Sequence, residues 1–415
     1  MHTIPDSHAE PPAKPGYKKT KLGWIPEEWE VVKLKSLSIK IMVGIASAAT
    51  HAYRESGIPM FRNQNIKEEG LDDSDLLFLE EGYEKIHKNK RLKEGDVLTV
   101  RTGYPGISAT VPKEYEGAQC FTSLITRPNK QLIYSKWLAY FINSPIGKKI
   151  IFGIEAGGAQ KNVNAGILSN MLVPKIPLHE QQKIAAILST WDQAIALTRE
   201  LIAAKEAQKK GLMQRLLTGK VRLKGFEGEW KKVKMGDIFK ERKERGYENL
   251  ELLSIGADGV YPQSESNKKD NSNSDKSKYK RICPGDIGYN TMRMWQGRSA
   301  VSKLEGIVSP AYTIVTPKKG IDVNFMGNLF QLPKSIHFFW RYSQGLVGDT
   351  LNCKFPSFAL VKLSIPPTLE EQTAIAAILT KADEEIGLLR EKLAALQAQK
   401  KGLMQQLLTG KIRVV

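Results

Sequence analysis

The sequence predicts an α+β protein. Two globular domains, each a curved β-sheet with a few helices, are separated by two long helices that pair as an antiparallel coiled coil. A pseudo-two-fold circular arrangement follows. Three observations carry this prediction. One stretch of the chain occurs twice, each copy has the apolar spacing of a coiled-coil helix, and the segments between the copies share a strand-and-turn framework.

The repeat runs from Glu180 to Arg222 and from Glu371 to Arg413, at a constant offset of 191 residues, with about 28 of 43 paired positions identical. In the second copy Ile375, Leu379, Ala382, Ile386, Leu389, Leu393, Leu396, Leu403 and Leu407 advance by alternating fours and threes, with Lys400 in one slot. The first copy has Ile184, Leu188, Trp191, Ile195, Thr198, Ile202, Lys205, Lys209, Leu212 and Leu216 in register. This period near 3.5 is a coiled-coil seam. A second apolar row (Ile187, Ala194, Leu201; Ile378) widens the stripe. An isolated helix of this kind would expose that stripe to water, so it needs a partner. The other copy is the obvious one; packing of each helix on its own domain is the alternative.

Chain order sets the direction. The first helix leads from the first domain to the second, and the second helix, paired with it, returns. Pro-rich borders precede both. Thr368 to Glu371 has the form of a capping box, whereas the first copy has Pro177 at that place. Gly211 and Gly402 recur inside the helices, which suggests a kink, a close backbone contact or a frayed last turn.

The resulting segments are a disordered leader at 1–19, a first domain at 20–177, a helix region at 178–223, a second domain at 224–367 and a second helix region at 368–415. In the first domain, β-type runs at Ile58–Phe61, Asp96–Val100, Ile107–Val111 and Leu124–Thr126 alternate with turn residues, and Ser135–Asn143 reads as helix. The second domain repeats the plan loosely. Gly285-Asp286-Ile287 matches Gly95-Asp96-Val97, and Trp230-x-x-Val233-Lys234 matches Trp29-x-x-Val32-Lys33. Nearly identical helices should do one job twice, such as docking two copies of a partner. Domains with one frame and unlike surfaces should do different versions of one job.

The net charge of +18 favours a polyanionic partner, most simply nucleic acid. Three cysteines without a C-x-x-C pair suggest a reducing cytoplasm and no zinc site, and no apolar run reaches membrane-spanning length. Catalytic signatures are missing. There is no Walker loop, no G-x-G-x-x-G opening a helix and no Asn-Pro-Pro-aromatic motif of an amino-methyltransferase. Glu241-Arg242-Lys243 resembles a nuclease E-x-K but reads as solvated surface. A self-sufficient nuclease or methyltransferase is therefore disfavoured.

Loops with base-reading chemistry recur at matching places. After the Gly-Asp strand come Arg101, Thr102 and Tyr104 in one domain and Asn290, Arg293, Trp295, Gln296 and Arg298 in the other. Arg62, Asn63 and Gln64 form a further cluster, and Lys161-Asn162 and Lys354 follow late in each domain. Arginine can bond guanine bidentately, and Asn or Gln can do so with adenine. For any one residue, a phosphate contact or plain surface remains open. A coiled-coil scaffold without a DNA role is the rival reading.

Taken together, Pro177-x-x-Glu180-Gln181, Pro367 with Glu371-Gln372, Leu-Leu-Thr-Gly-Lys at 216–220 and 407–411, the Trp-x-x-Val-Lys lead-ins and Gly-Asp-[Val/Ile] resemble the specificity subunit (HsdS) of type I restriction–modification systems. The resemblance covers nearly the whole chain after about residue 20. It implies two target recognition domains reading an interrupted, asymmetric double-stranded DNA sequence. It also implies helices that act as ruler and as docking sites for two modification (HsdM) subunits. S-adenosylmethionine would reside on those subunits, and ATP with Mg on restriction (HsdR) subunits, leaving this chain non-catalytic and free of cofactors. A helix of about 37 residues is roughly 55 Å long, against roughly 34 Å between successive major-groove faces.

Overall fold

Both repeats form continuous α-helices of 39 residues, Leu178–Leu216 and Leu369–Leu407. The computed structural model describes residues 15–153, 162–256, 259–266, 272–345 and 350–414. These fall into two units, Met1–Thr198 with Lys392–Val415, and Arg199–Glu391. Each unit therefore contains part of both long helices.

The helices are antiparallel, as chain order requires. In the first unit Lys400 pairs with Asp192. In the second, Lys205 pairs with Glu385 at 2.8 Å, Glu206 with Arg390 at 2.7 Å and Lys209 with Asp383 at 2.5 Å. Residues ascending one helix thus meet residues descending the other. Ile184, Leu188 and Ile195 are buried on the first helix, and Ile375, Leu379, Ile386 and Leu407 on the second. The polar slots of the seam, Lys205, Lys209 and Lys400, form three of these ion pairs.

The stripe is narrower than its composition suggests. Leu201 stays 45% exposed and Ile378 37% exposed, so the second apolar row is not a full core face. A two-stranded seam buries only the first row. Gly211 and Gly402 also differ from expectation. A Cβ built at either position meets nothing within 4 Å, and both helices continue past them to Leu216 and Leu407. No close contact or frayed turn accounts for them. Gly211→Ala and Gly402→Ala are therefore expected to stabilise the chain by about 1 kcal/mol each, read as a rise in the thermal midpoint.

Each helix begins and ends on a repeated structure. Glu371 N–H donates to Thr368 Oγ1 at 3.3 Å, the expected cap. At the first helix the Pro177 carbonyl accepts from the amides of both Glu180 and Gln181. Both helices stop at a left-handed glycine, Gly219 (φ 70°) and Gly410 (φ 69°). Gly219 lies against the Trp230 ring, and Gly410 lies against Pro26 and Trp29.

The start of each helix is tied to the end of the other. In the first unit Arg413 donates from Nε and Nη2 to Glu180 at 2.6 and 3.0 Å, stacks over Trp29 and also pairs with Glu28. Tyr17 Oη donates to the Gly410 carbonyl at 2.8 Å. In the second unit Arg222 bonds Glu371 through the same two nitrogens at 2.7 and 2.8 Å, and Trp230 Nε1 donates to that carboxylate at 3.4 Å. Gln181 and Gln372 anchor the helix starts to backbone: each side-chain oxygen accepts from an amide, Tyr134 or Asp322.

The two globular parts share one sheet plan. In the first unit the order is Ser108–Thr110, Val97–Thr99, Leu124–Pro128 and Ser38–Val43, all antiparallel. In the second it is Ser299–Val301, Ile287–Asn290, Tyr312–Pro317 and Phe239–Glu241, again antiparallel. The lead-in strand Glu30–Lys33 pairs with Leu172–Lys175, and Lys231–Lys234 pairs with Lys362–Ile365. The expected helix Ser135–Asn143 is present, and buries Trp137 and Phe141 against Ile184, Leu188 and Leu408. Phe239, Phe330, Phe339 and Phe358 form the matching core beneath Leu216, Ile375 and Leu379.

Two expectations at the borders change. Tyr17–Thr20 is a strand paired with Gly23–Pro26, so ordered structure starts inside the 1–19 leader, of which 1–14 lie outside the described residues. Arg242, read as solvated, is an ion-pair partner of the buried Asp286 at 2.7 Å. The Asp286 carboxylate and then Glu244 hold its guanidinium more firmly charged.

Candidate nucleic-acid interface

Each domain's loops are positioned by the Gly-Asp turn. Gly95 (φ 84°) and Gly285 (φ 85°) adopt a left-handed conformation that glycine allows without strain. The following aspartates are buried and accept from the backbone three residues earlier, Asp96 from Lys93 N–H and Asp286 from Cys283 N–H. Arg127 completes the first at 2.9 and 2.8 Å, and Arg242 with Thr316 completes the second. These fixed strand starts set where the strands end and their exit loops begin.

In the first domain the structure brings three predicted segments together. Asn63 donates to Thr102 Oγ1 at 2.9 Å and accepts from Ser123 Oγ at 2.8 Å. Val163 N–H donates to the Arg101 carbonyl at 3.1 Å, so Asn162 lies beside that loop; Lys161 lies outside the described residues. The side chains differ in availability. Arg62 is tied to Asp75 at 2.7 Å and Gln64 to the same carboxylate at 2.9 Å. Arg101 has no hydrogen-bond or ion-pair partner among the described residues, and its Nε is buried without one. Tyr104 is 81% exposed at the loop tip.

The second domain reproduces the linking bond with other residues. Cys353 N–H donates to the Thr291 carbonyl at 2.8 Å, placing Lys354 beside the loop from Asn290 to Arg298. Asn290 N–H closes that loop on the Arg298 carbonyl at 3.0 Å, and its side-chain oxygen accepts from Met292 N–H. Met294 is buried beneath, and Trp295 Nε1 donates to the Met292 carbonyl. Arg293 and Gln296 touch at 3.4 Å, and both are exposed, as are Arg298 and Lys354. Among the described residues no group of three His, Cys, Asp or Glu could hold a metal ion. No described helix is long and apolar enough to cross a membrane.

The sequence model of the type I restriction modification DNA specificity domain matches this chain twice, at residues 26–206 and 227–398. The chain belongs to that family. It is a type I specificity subunit with two target recognition domains, and in such systems catalysis lies in partner subunits. A specificity subunit assigned to the MjaX type I restriction enzyme of Methanocaldococcus jannaschii is 29% identical, over 96% of this chain and 97% of the relative. The MjaVIII specificity subunit of the same organism is 26% identical over 94% of each. The type I S subunit structure from M. genitalium shares the fold, with a TM-score of 0.57 at 14% identity over 92% of this chain and 96% of that one.

Within this specificity subunit the sequence reading missed the cross-matched pairs Glu180–Arg413 and Glu371–Arg222. The signal was available. Each acid and each arginine sits at the same place in both copies, yet neither shows which copy it pairs with. Thr122, beside the first domain's loops, carried no sequence signal.

Proposed function

We propose that this subunit reads a bipartite, asymmetric DNA target, one half per recognition domain, and docks two modification subunits on its long helices. The observation that carries the reading is the shared backbone bond, Val163 N–H to Arg101 O in one domain and Cys353 N–H to Thr291 O in the other. One frame thereby presents two chemically different loops, which suits two different half-sites. The excess of Lys and Arg supplies the affinity for phosphate, and the loops supply discrimination.

The modification subunits carry S-adenosylmethionine and methylate adenine; restriction subunits bring ATP and Mg, and the assembly works in the cytoplasm. The test is binding of the assembled complex to duplexes identified by mapping methylated adenines. Specific binding should fall steeply with salt and vanish when either half of the target is scrambled. Binding that ignores both halves would leave only the scaffold reading.

Two copies of one partner need two equivalent surfaces. Leu197 is 64% exposed and Leu388, its counterpart in the repeat, is 66% exposed. Leu197→Asp and Leu388→Asp are each expected to remove one modification subunit, read as stoichiometry by mass photometry, with the fold unchanged because neither side chain is buried. Retention of both subunits by the double variant would place docking elsewhere.

A further inference from the structure

Among the described residues one non-glycine side chain has a left-handed backbone, Thr122, at φ 57°. The residue is β-branched, the class for which this region is most disfavoured. Its neighbours enforce the conformation. Thr122 N–H donates to the Ile45 carbonyl at 2.8 Å, Phe121 N–H to Phe61 O at 2.8 Å, and Gly44 N–H to Ser123 O at 2.9 Å. A glycine would satisfy the same three bonds without strain.

The threonine hydroxyl brings no compensating hydrogen bond among the described residues, and the residue is only partly buried. Its surroundings are the candidate reading surface. Ser123 bonds Asn63, and Asn63 bonds Thr102 of the loop that carries Arg101 and Tyr104. Strain held by surrounding structure, at a residue whose functional group is unused, is characteristic of ligand-contacting positions.

We infer that Thr122 is a specificity-determining residue of the first recognition domain, its hydroxyl bonding a base edge in one half of the target. This rests on the DNA-reading function proposed above. A hydroxyl can serve as donor or acceptor to a base edge, and its short side chain requires close approach of the backbone. Among the described residues the second domain has no such residue: Ser309-Pro310-Ala311 precedes its matching strand.

The test is selection from a random-sequence duplex pool by the full chain assembled with its modification subunits, for wild type, Thr122→Gly, Thr122→Val and Thr122→Ser. Thr122→Gly should fold with a raised thermal midpoint. It and Thr122→Val should lose preference by about tenfold at one base-pair position of one half-site, and Thr122→Ser should keep it. Unchanged preference in Thr122→Gly or Thr122→Val, loss in Thr122→Ser, or a uniform fall across all sequences would overturn the assignment. A wild-type complex with no sequence preference would instead overturn the DNA-reading function along with it.

Discussion

Arg222→Ala is expected to lower stability by about 3–5 kcal/mol, because it leaves a buried carboxylate without its charged partner. Glu371 is fully buried and bonds Arg222 through two nitrogens, with Trp230 Nε1 as a longer third donor. Arg413→Ala should behave alike, stranding Glu180 at 1% exposure. Glu371→Gln should be milder, since its amide oxygen can still accept from Arg222 Nε and Trp230 Nε1, which share one carboxylate oxygen, and Arg222 stays bonded to the Gly228 carbonyl. The double variant Arg222→Ala with Glu371→Gln should therefore recover part of the loss. Chemical denaturation measures each term. A loss under about 1 kcal/mol for both arginine variants would put the pairs in the class of exposed ion pairs, and the clasp between helix start and helix end would have no energetic meaning.

Arg101→Ala and Arg293→Ala are expected to weaken discrimination at different half-sites, each by about 1–3 kcal/mol at the affected base pair. The Arg101 side chain in the first domain's loop has no partner among the described residues. Arg293 is exposed in the second, and among the described residues its side chain bonds Gln296 alone, at 3.4 Å. Neither change should disturb the core, because neither side chain anchors a strand. Arg62→Ala is the contrasting case. Its ties to Asp75 hold the loop itself, so it should reduce the first half-site through loss of shape. Competition binding with duplexes altered in one half at a time separates these effects. Equal weakening at both halves from Arg101→Ala alone would contradict a one-domain, one-half division.

The sequence alone determined the two rods and their direction. Helical period is a local property, so the steps of three and four residues state which side of each repeat is apolar. With only one partner copy and one chain path, antiparallel pairing followed. Local chemistry also placed the Thr368 cap and the strands around Gly95-Asp96 and Gly285-Asp286. Motif content was sufficient for the family.

Only the tertiary structure decided which polar residues were already engaged. Arg242 looked solvated but closes on Asp286, and Arg62 looked free but closes on Asp75, because ion-pair partners lie far along the chain and leave no periodic trace. The same holds for Arg413 meeting Glu180 and Arg222 meeting Glu371. Stripe width was likewise undecided until packing left Leu201 and Ile378 partly exposed. The left-handed backbone at Thr122 is imposed by hydrogen bonds to the Ile45 and Phe61 carbonyls and from the Gly44 amide, and no property of threonine foretells it. Local periodicity is written residue by residue, whereas pairing between distant polar groups exists only once folding has brought them within reach.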